Sequence, residues 1–179
     1  MRHIKLFVYL CRKRYDRILI NNCIKINKMK NQETTINVLQ ATLSGIIAGA
    51  QQHFMHANIN KYRGFNKLAN RMLEENAKEM AEAGTFINRI IELGRIPDVN
   101  PEKWPVHMDI ESQFKTEYEE QKMALDALNS IISNIEDDYV TKEIYQKYLL
   151  DEANHTKWLK QQIDLMESIG LQNYLANQI

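Results

Sequence analysis

The chain has 179 residues, of which 44% are hydrophobic. This is enough for one packed domain and too little for two. The formal net charge of zero is the sum of a basic leader, residues 1–28, which has eight Lys or Arg against one Asp, and an acidic remainder. Both cysteines, Cys11 and Cys23, lie in the leader, so a disulfide framework is excluded for the remainder, which suits a reducing cytoplasm.

The leader contains no apolar run long enough for a secretory signal, and no stretch of the chain approaches the roughly 18 apolar residues of a membrane helix. We therefore expect a soluble, cytoplasmic protein that has no membrane partner. Two interpretations of the leader stay open. It is either an over-extended start of the gene without a function, or a basic, disordered arm that contacts nucleic acid or another acidic surface. The folded domain is predicted over residues 29–179.

Four long helices are predicted in chain order from apolar residues at helical spacing. The first two carry Leu39, Leu43, Ile46, Ala50 and Ala57, and then, after Gly64, Leu68, Met72, Phe86, Ile90 and Leu93. All three prolines fall between Pro97 and Pro105 and mark a long connection over roughly residues 94–110. The last two helices carry Phe114, Tyr118, Leu125, Leu128, Ile132 and Ile135, and then Tyr145, Leu159, Ile163 and Met166.

These elements predict an all-α fold. Short turns near Gly64 and residue 137 and one long crossover describe a ferritin-like four-helix bundle. The tail GLQNYLANQI begins with a glycine that suits a helix end, and it is long enough for a short fifth helix.

Polar residues interrupt two of the apolar stripes. The fourth helix places Glu152 and His155 among its inward residues, and the second helix likewise places carboxylates there, which are Glu75, Glu79 and Glu82. Each buried, unpaired carboxylate would cost several kcal/mol. A pair of divalent metal ions would remove this cost, because carboxylate oxygen and imidazole nitrogen suit iron. Either Glu-x-x-His or Glu-x-x-Glu alone is typical of a solvated face; their joint placement favours a metal centre.

At these residues the chain resembles a bacterioferritin subunit over Ile36 to Ile179. The matching stretches include EENAKEMAEA, INRIIELGRIP, KYLLDEANHTKWL and GLQNYLANQI. The resemblance implies a shell of about 24 subunits that oxidises Fe(II) with O2 or H2O2 at a di-iron centre within each subunit and stores the iron as a ferric mineral. It also implies haem b held between two subunits by a methionine from each. Met80 matches that methionine, although an interface or surface methionine without haem stays open.

The resemblance also implies a set of iron ligands. Glu79 and Glu152 match the bridging carboxylates, and Glu119 and His155 match two further ligands. The chain departs from the family at Ile46, where a first-helix glutamate is expected, and at a second-helix histidine, which is here Glu82. The predicted ligand set is therefore Glu79, Glu82, Glu119, Glu152 and His155, in an asymmetric site with one weakly held iron.

Two further polar residues are predicted beside the centre. His53 lies two turns beyond Ile46 on the same face, where the family has a tyrosine. We expect it either to hydrogen-bond to Glu119 and support the ligands or to be a satisfied core histidine. Glu75 is predicted as a supporting or inner-surface carboxylate.

Our leading hypothesis is an iron-storage subunit with a modified ferroxidase centre, either in a homo-oligomer or in a hetero-oligomer with a second ferritin subunit. Ile46 supports an alternative, a structural or haem-carrying shell subunit without ferroxidase turnover. A Dps-like protein whose leader protects DNA is a further alternative, although nucleic acid is not an expected partner of the folded domain.

Overall fold

The computed structural model of the chain describes residues 32–179. Within this range the chain forms five helices, of which four are long. These are α1 (Gln32–Tyr62), α2 (Asn66–Glu92), α3 (Ile110–Asn134), α4 (Tyr139–Ile169) and α5 (Leu171–Ala176). The predicted ferritin-like bundle with a short fifth helix is confirmed. The predictions for the leader fall on residues outside the described range.

Local sequence explains where the helices begin and end. Gly64, in the turn between α1 and α2, and Gly170, between α4 and α5, have φ angles of 85° and 80°, which glycine adopts at little cost. Asp109 caps α3 by accepting a hydrogen bond from the backbone N–H of Ser112, and Asp138 caps α4 by accepting one from Thr141. Short-chain carboxylates are favoured at this position because they satisfy a free N–H of the first turn.

The long connection between α2 and α3, residues 93–109, runs along α1. Side chains of α1 hold it in place. The Gln40 side chain donates to the Ile96 carbonyl at 3.0 Å and accepts from the Asp98 N–H at 2.8 Å, and Gln52 donates to the Pro105 carbonyl at 2.7 Å. The crossover therefore lies against the middle of α1.

The bundle has two apolar cores, one towards each end. The first contains ten buried residues, which are Leu39, Leu43, Ile46, Ala83, Phe86, Ile90, Leu128, Ile131, Ile135 and Tyr145. The second contains nine, which are Ala57, Leu68, Met72, Ile110, Phe114, Leu159, Ile163, Met166 and Tyr174. The buried positions between these cores are mainly polar on α2, α3 and α4, and α1 contributes Gln52, His53 and His56. Along the bundle axis, the interior therefore consists of an apolar core, a polar layer and a second apolar core.

None of the helices in the described range is long and apolar enough to span a membrane.

Candidate metal centre

The polar layer between the two cores receives side chains from all four long helices. They are His53 from α1, Glu75 and Glu79 from α2, Glu117 and Gln121 from α3, and Glu152 and His155 from α4, and all are buried. Each occupies a position on the same stripe as the apolar core residues of its helix. Burial of this many charged groups is costly unless they are paired or bind metal.

One group in this layer consists of His53, Glu117 and His155, here called the histidine triad. The Nε2 atoms of both histidines lie next to a single oxygen of Glu117, Oε1, at 2.8 Å for His53 and 2.5 Å for His155. The imidazole rings meet edge to face, with centroids 5.4 Å apart. The second oxygen of Glu117 and the Nδ1 atoms of both histidines are buried and make no hydrogen bond.

Within the histidine triad, Glu117 and His155 shift each other's pKa values. Burial opposes the charge of Glu117, but His53 and His155 outweigh it and hold the pKa of this carboxyl well below its usual range. Burial would lower the pKa of His155, yet the hydrogen bond to Glu117 raises it above its ordinary value. The two neighbouring imidazoles therefore stabilise the ionised form of Glu117.

A second group consists of Glu79, Glu82 and Glu152, here called the carboxylate triad. One oxygen from each lies within 4.8 Å of the others, and one oxygen of Glu79 and one of Glu82 are buried without a hydrogen bond. Among residues 32–179, no Lys or Arg forms an ion pair with any member of this triad. Three carboxyl groups therefore meet here with no cation among them.

The pKa values of the carboxylate triad follow from this crowding. Burial, and then repulsion from Glu152, raise the pKa of Glu79 well above its usual range, and the same two causes raise the pKa of Glu82 to about 8. Burial also raises the pKa of Glu152, although His155 and a hydrogen bond from Gln121 act against it. Burial and crowding therefore favour the protonated forms of these carboxyls, and a bound cation would favour their ionised forms.

Glu75 lies behind the histidine triad. Its Oε2 is 3.5 Å from Nδ1 of His155, and its Oε1 pairs with Arg71 and, at 3.2 Å, with Lys78. Trp158 stacks on the His155 ring at 5.8 Å and receives the Arg71 guanidinium on its face at 4.7 Å. The His155 ring is thus held from two sides.

The interior face of α3 differs from the predicted one. Its buried residues are Ile110, Gln113, Phe114, Glu117, Gln121, Leu128 and Ile131. Since successive helical residues are about 100° apart, Glu119 lies about 200° round the helix from Glu117. The Glu119 side chain is 63% exposed and pairs with Lys122 at 3.0 Å. The prediction that Glu119 faces the centre is therefore wrong, and so is the predicted contact between His53 and Glu119.

Comparison with known proteins shows which family has this architecture. The family described as the ferritin-like domain matches residues 20–169. The chain belongs to the ferritin-like family. The bacterial ferritin of Neisseria meningitidis serogroup B is 32% identical over 154 residues, which cover 84% of this chain and 100% of that protein. The bacterial ferritin of Synechocystis is 32% identical over 161 residues, covering 84% and 99%, and the bacterioferritin of Streptomyces coelicolor is 27% identical over 154 residues, covering 84% and 92%.

In this ferritin-like chain, α1 contributes no carboxylate to the polar layer. Ile46, at the position where one was expected, is 1% exposed and belongs to the first apolar core. Three residues later, Gly49 faces Glu79, and a Cβ added there would lie 3.0 Å from Glu79 Oε1 and 3.4 Å from the Trp104 ring. The absence of a side chain at Gly49 therefore leaves room for the Glu79 carboxylate.

Met80 lies outside the polar layer of the ferritin-like bundle. It is 51% exposed and lines an open, largely apolar cavity of about 380 Å³. The other lining residues are Ile47, Ala50, Gln51, Phe54, Met55 and Asn76. The predicted placement of Met80 away from Glu79 agrees with this position.

Of the predicted ligands, the structure brings Glu79, Glu82 and Glu152 together in one triad and places His155 in the other. Glu119 does not join them, and Glu117 was missed. The signal for Glu117 was present, because it lies three residues after Phe114 and eleven before Leu128, on one helical face. Gln121, four residues beyond Glu117, was missed for the same reason.

Proposed function

We propose that the protein is an iron-storage ferritin that binds Fe(II) in the polar layer, oxidises it there and stores the product as Fe(III). Membership of the ferritin-like family supports iron binding and iron storage in general. The observation that carries the finer proposal is the pair of neighbouring triads, in which buried side-chain atoms from α1, α2, α3 and α4 make no hydrogen bond.

The donor set fits iron. It consists of four carboxylates, which are Glu79, Glu82, Glu117 and Glu152, together with the imidazole of His155. Mixed oxygen and nitrogen donors suit Fe(II), whereas Mg²⁺ and Ca²⁺ prefer oxygen alone. The four carboxylates carry four negative charges, which two Fe(II) ions would balance. We assign the positions between the two ions to Glu79 and Glu152, as the family resemblance implies.

Fe(II) is the substrate in this proposal. Two Fe(II) ions lose one electron each, and O2 takes up two electrons and two protons to give H2O2. With H2O2 as the oxidant, two electrons and two protons give two molecules of water. The protein's own side chains hold the two ions at fixed positions and exclude bulk water, and a proton displaced from Glu82 on metal binding is available to the reduced oxidant.

We further propose assembly into a hollow shell, either from this chain alone or together with a second ferritin subunit. Large apolar side chains are exposed on the outer faces of the bundle, including Phe54, Met80, Ile91, Tyr139 and Leu150. Of these, Phe54 and Met80 line one open cavity together with Ile47 and Met55, and a contiguous exposed apolar patch is typical of an interface. A shell of about 24 subunits with closed symmetry would bury it and enclose the mineral.

Haem is a proposed ligand of the Met80 surface. A thioether is a known axial ligand of haem iron, and the lining of Ile47, Ala50, Phe54 and Met55 suits the apolar face of a porphyrin. Haem held there between two subunits would supply one-electron transfer. A surface methionine that packs only against a neighbouring subunit is the alternative.

A titration of the metal-free protein with Fe(II) under air tests the oxidation. We expect a fast phase that consumes two irons per subunit, followed in ferric absorbance. Glu152→Gln should slow this phase at least about tenfold, since a ligand is lost. Glu143→Gln is the matched control, because its side chain lies on the same helix and is 65% exposed. Oxidation no faster in wild type than in buffer would reject the ferroxidase.

That result would favour the second candidate function, a shell subunit without ferroxidase turnover. Ile46 carries this alternative, because the first apolar core fills the position at which the family has a ligand. A Dps-like role would instead depend on the leader, and a chain beginning at Met29 whose nucleic-acid affinity equals that of the full chain would exclude it.

A further inference from the structure

We propose that His53 is a metal ligand, and that His53, Glu117 and His155 form a site of their own, which binds one borderline divalent ion, such as Fe(II), Co(II) or Zn(II), before the carboxylate triad is filled. The family resemblance gave His53 no place among the ligands. This inference rests on the proposed function only in placing metal within the polar layer.

The geometry of the histidine triad supports direct ligation. Both Nε2 atoms approach the same oxygen of Glu117, at 2.8 and 2.5 Å, and all three donor atoms lie within 4.8 Å of one another. An ion with bonds of about 2.0–2.2 Å to nitrogen and oxygen needs its ligand atoms about 3–3.5 Å apart. Small side-chain rotations would bring the three atoms to that spacing as bonds to the ion replace the two hydrogen bonds at Glu117 Oε1.

A hydrogen-bonded cluster without metal explains the triad less well. His53, Glu117 and His155 are 2%, 1% and 5% exposed, so bulk water does not reach them. Glu117 Oε2 and His53 Nδ1 are left without hydrogen bonds, and each such buried atom costs about 1–3 kcal/mol. In a cluster with a purely structural role, these atoms would be hydrogen-bonded. A chelating ion would draw on Glu117 Oε2 and offset the cost.

The three ligands come from three different helices, which are α1, α3 and α4. His53 is the contribution of α1 to this layer, because Ile46 offers no ligand. Glu75 and Trp158 hold the His155 ring from behind. The site is therefore supported by the packed bundle rather than by a mobile loop, which favours a well-defined coordination geometry.

The two triads differ in the metal that they favour. Imidazole nitrogen suits Zn(II), Co(II) and Fe(II), whereas a site of carboxylates alone suits harder ions. Charge strengthens the distinction. A divalent ion in the histidine triad leaves a net charge of +1 with neutral imidazoles, and one in the carboxylate triad leaves −1. An ion in the histidine triad therefore attracts the neighbouring carboxylates, and the preference of borderline ions for imidazole nitrogen sets the order of loading.

Anaerobic titration of the full-length, metal-free protein with Co(II) tests the inference. Bound ions are counted by equilibrium dialysis, and the visible d–d absorption reports the ligand set and coordination number. We expect one ion per subunit to bind tightly, with the spectrum of a nitrogen-containing site, before a second, weaker ion. One equivalent of Zn(II) should displace the tightly bound Co(II).

His53→Gln is the decisive variant, because an amide N–H can still donate to Glu117 but offers no imidazole nitrogen. We expect the first Co(II) to bind at least about 100-fold more weakly and its d–d spectrum to change. His56→Gln is the matched control, since His56 lies one turn further along α1, is equally buried and lies outside the triad. It should bind Co(II) as wild type does. Circular dichroism checks that both variants fold.

The outcomes separate this inference from the proposed function. If His53→Gln binds Co(II) with wild-type affinity and spectrum, His53 only donates a hydrogen bond to Glu117, and the inference is wrong even where wild type oxidises iron. Absence of tight Co(II) binding to wild type would also overturn it. If Co(II) binds through His53 but Fe(II) is not oxidised, the metal site stands and the ferroxidase is rejected.

Discussion

Replacing Glu117 by glutamine should remove most of the metal affinity of the polar layer. The amide keeps the size of the side chain and one acceptor oxygen for the two histidines, but it carries no charge. A unit charge and a divalent ion about 4 Å apart interact by about 8 kcal/mol at an effective dielectric constant of about 20. Dehydration of both groups offsets more than half of this. We expect a net loss of about 3–4 kcal/mol, which is about 10²–10³-fold in affinity.

Glu119→Gln is the matched control on the same helix. The Glu119 side chain is 63% exposed and lies on the far side of α3, so it is separated from the polar layer by a helix about 10 Å wide. This exceeds the Debye length of about 8 Å at physiological ionic strength. Removing its charge should therefore change metal affinity by less than about twofold.

Calorimetric titration of metal-free wild type, Glu117→Gln and Glu119→Gln with Zn(II) would measure these affinities without redox chemistry. Unfolding in urea would show whether either variant has lost its fold. A large loss of affinity in Glu119→Gln together with wild-type affinity in Glu117→Gln would refute the assignment of the α3 ligand, and with it the register that we describe for that helix.

Three further predictions concern other parts of the structure. The free energy of unfolding of the metal-free protein should fall by about 2 kcal/mol between pH 5 and pH 8. Folded Glu82 has a pKa of about 8, so it keeps a proton across this range, whereas the unfolded chain loses that proton above the ordinary pKa of a glutamate. The full pKa shift would correspond to about 5 kcal/mol, and the partial exposure of Glu82 reduces this value. Urea unfolding across this range measures it, and a flat profile would contradict it. Gly49→Ala should weaken metal binding about tenfold, since the new Cβ would lie 3.0 Å from an oxygen of Glu79. A Cβ at Gly45 would have no atom within 4 Å, so Gly45→Ala should leave metal binding unchanged and stabilise α1 by about 0.5–1 kcal/mol. Equal metal binding by both variants would refute the contact between Gly49 and Glu79. Met80→Leu should lose haem on reconstitution but keep wild-type Fe(II) oxidation, as measured by haem absorbance, and haem uptake equal to that of wild type would exclude Met80 as the ligand.

Much of the fold could be predicted because several local signals agree. Gly64 and Gly170 stand where two helices end, the three prolines confine the crossover, and Asp138 stands at the start of α4. Apolar spacing then fixes which faces of α1, α2 and α4 turn inward. Few four-helix arrangements satisfy these constraints together, and one long crossover with short turns selects among them.

The metal centre was predicted less completely, and α3 explains why. Glu119 was assigned from the family resemblance alone and not from helical spacing. At 100° per residue, Glu117 shares a face with Phe114, Leu128 and Ile131, which are the buried residues of α3, whereas Glu119 does not. Because polar residues replace apolar ones in the middle of the interior stripe, the periodicity is weakest where the functional residues lie. The hydrogen bonds to His53 and His155 show that Glu117 faces the interior.

The arrangement of cores around the polar layer has an energetic reason. Buried carboxylates without partners destabilise the metal-free bundle by several kcal/mol, and the two apolar cores must offset this from either side. A metal that binds only to the folded state stabilises it by about 4 kcal/mol when the free metal concentration is a thousand times the dissociation constant. With Ile46 in place of a glutamate, the bundle has one buried carboxylate fewer whose cost the cores must offset. His53 adds a metal ligand that is an imidazole and not a further carboxylate. Together these two residues lower the cost of the metal-free state and concentrate affinity at one of the two metal positions.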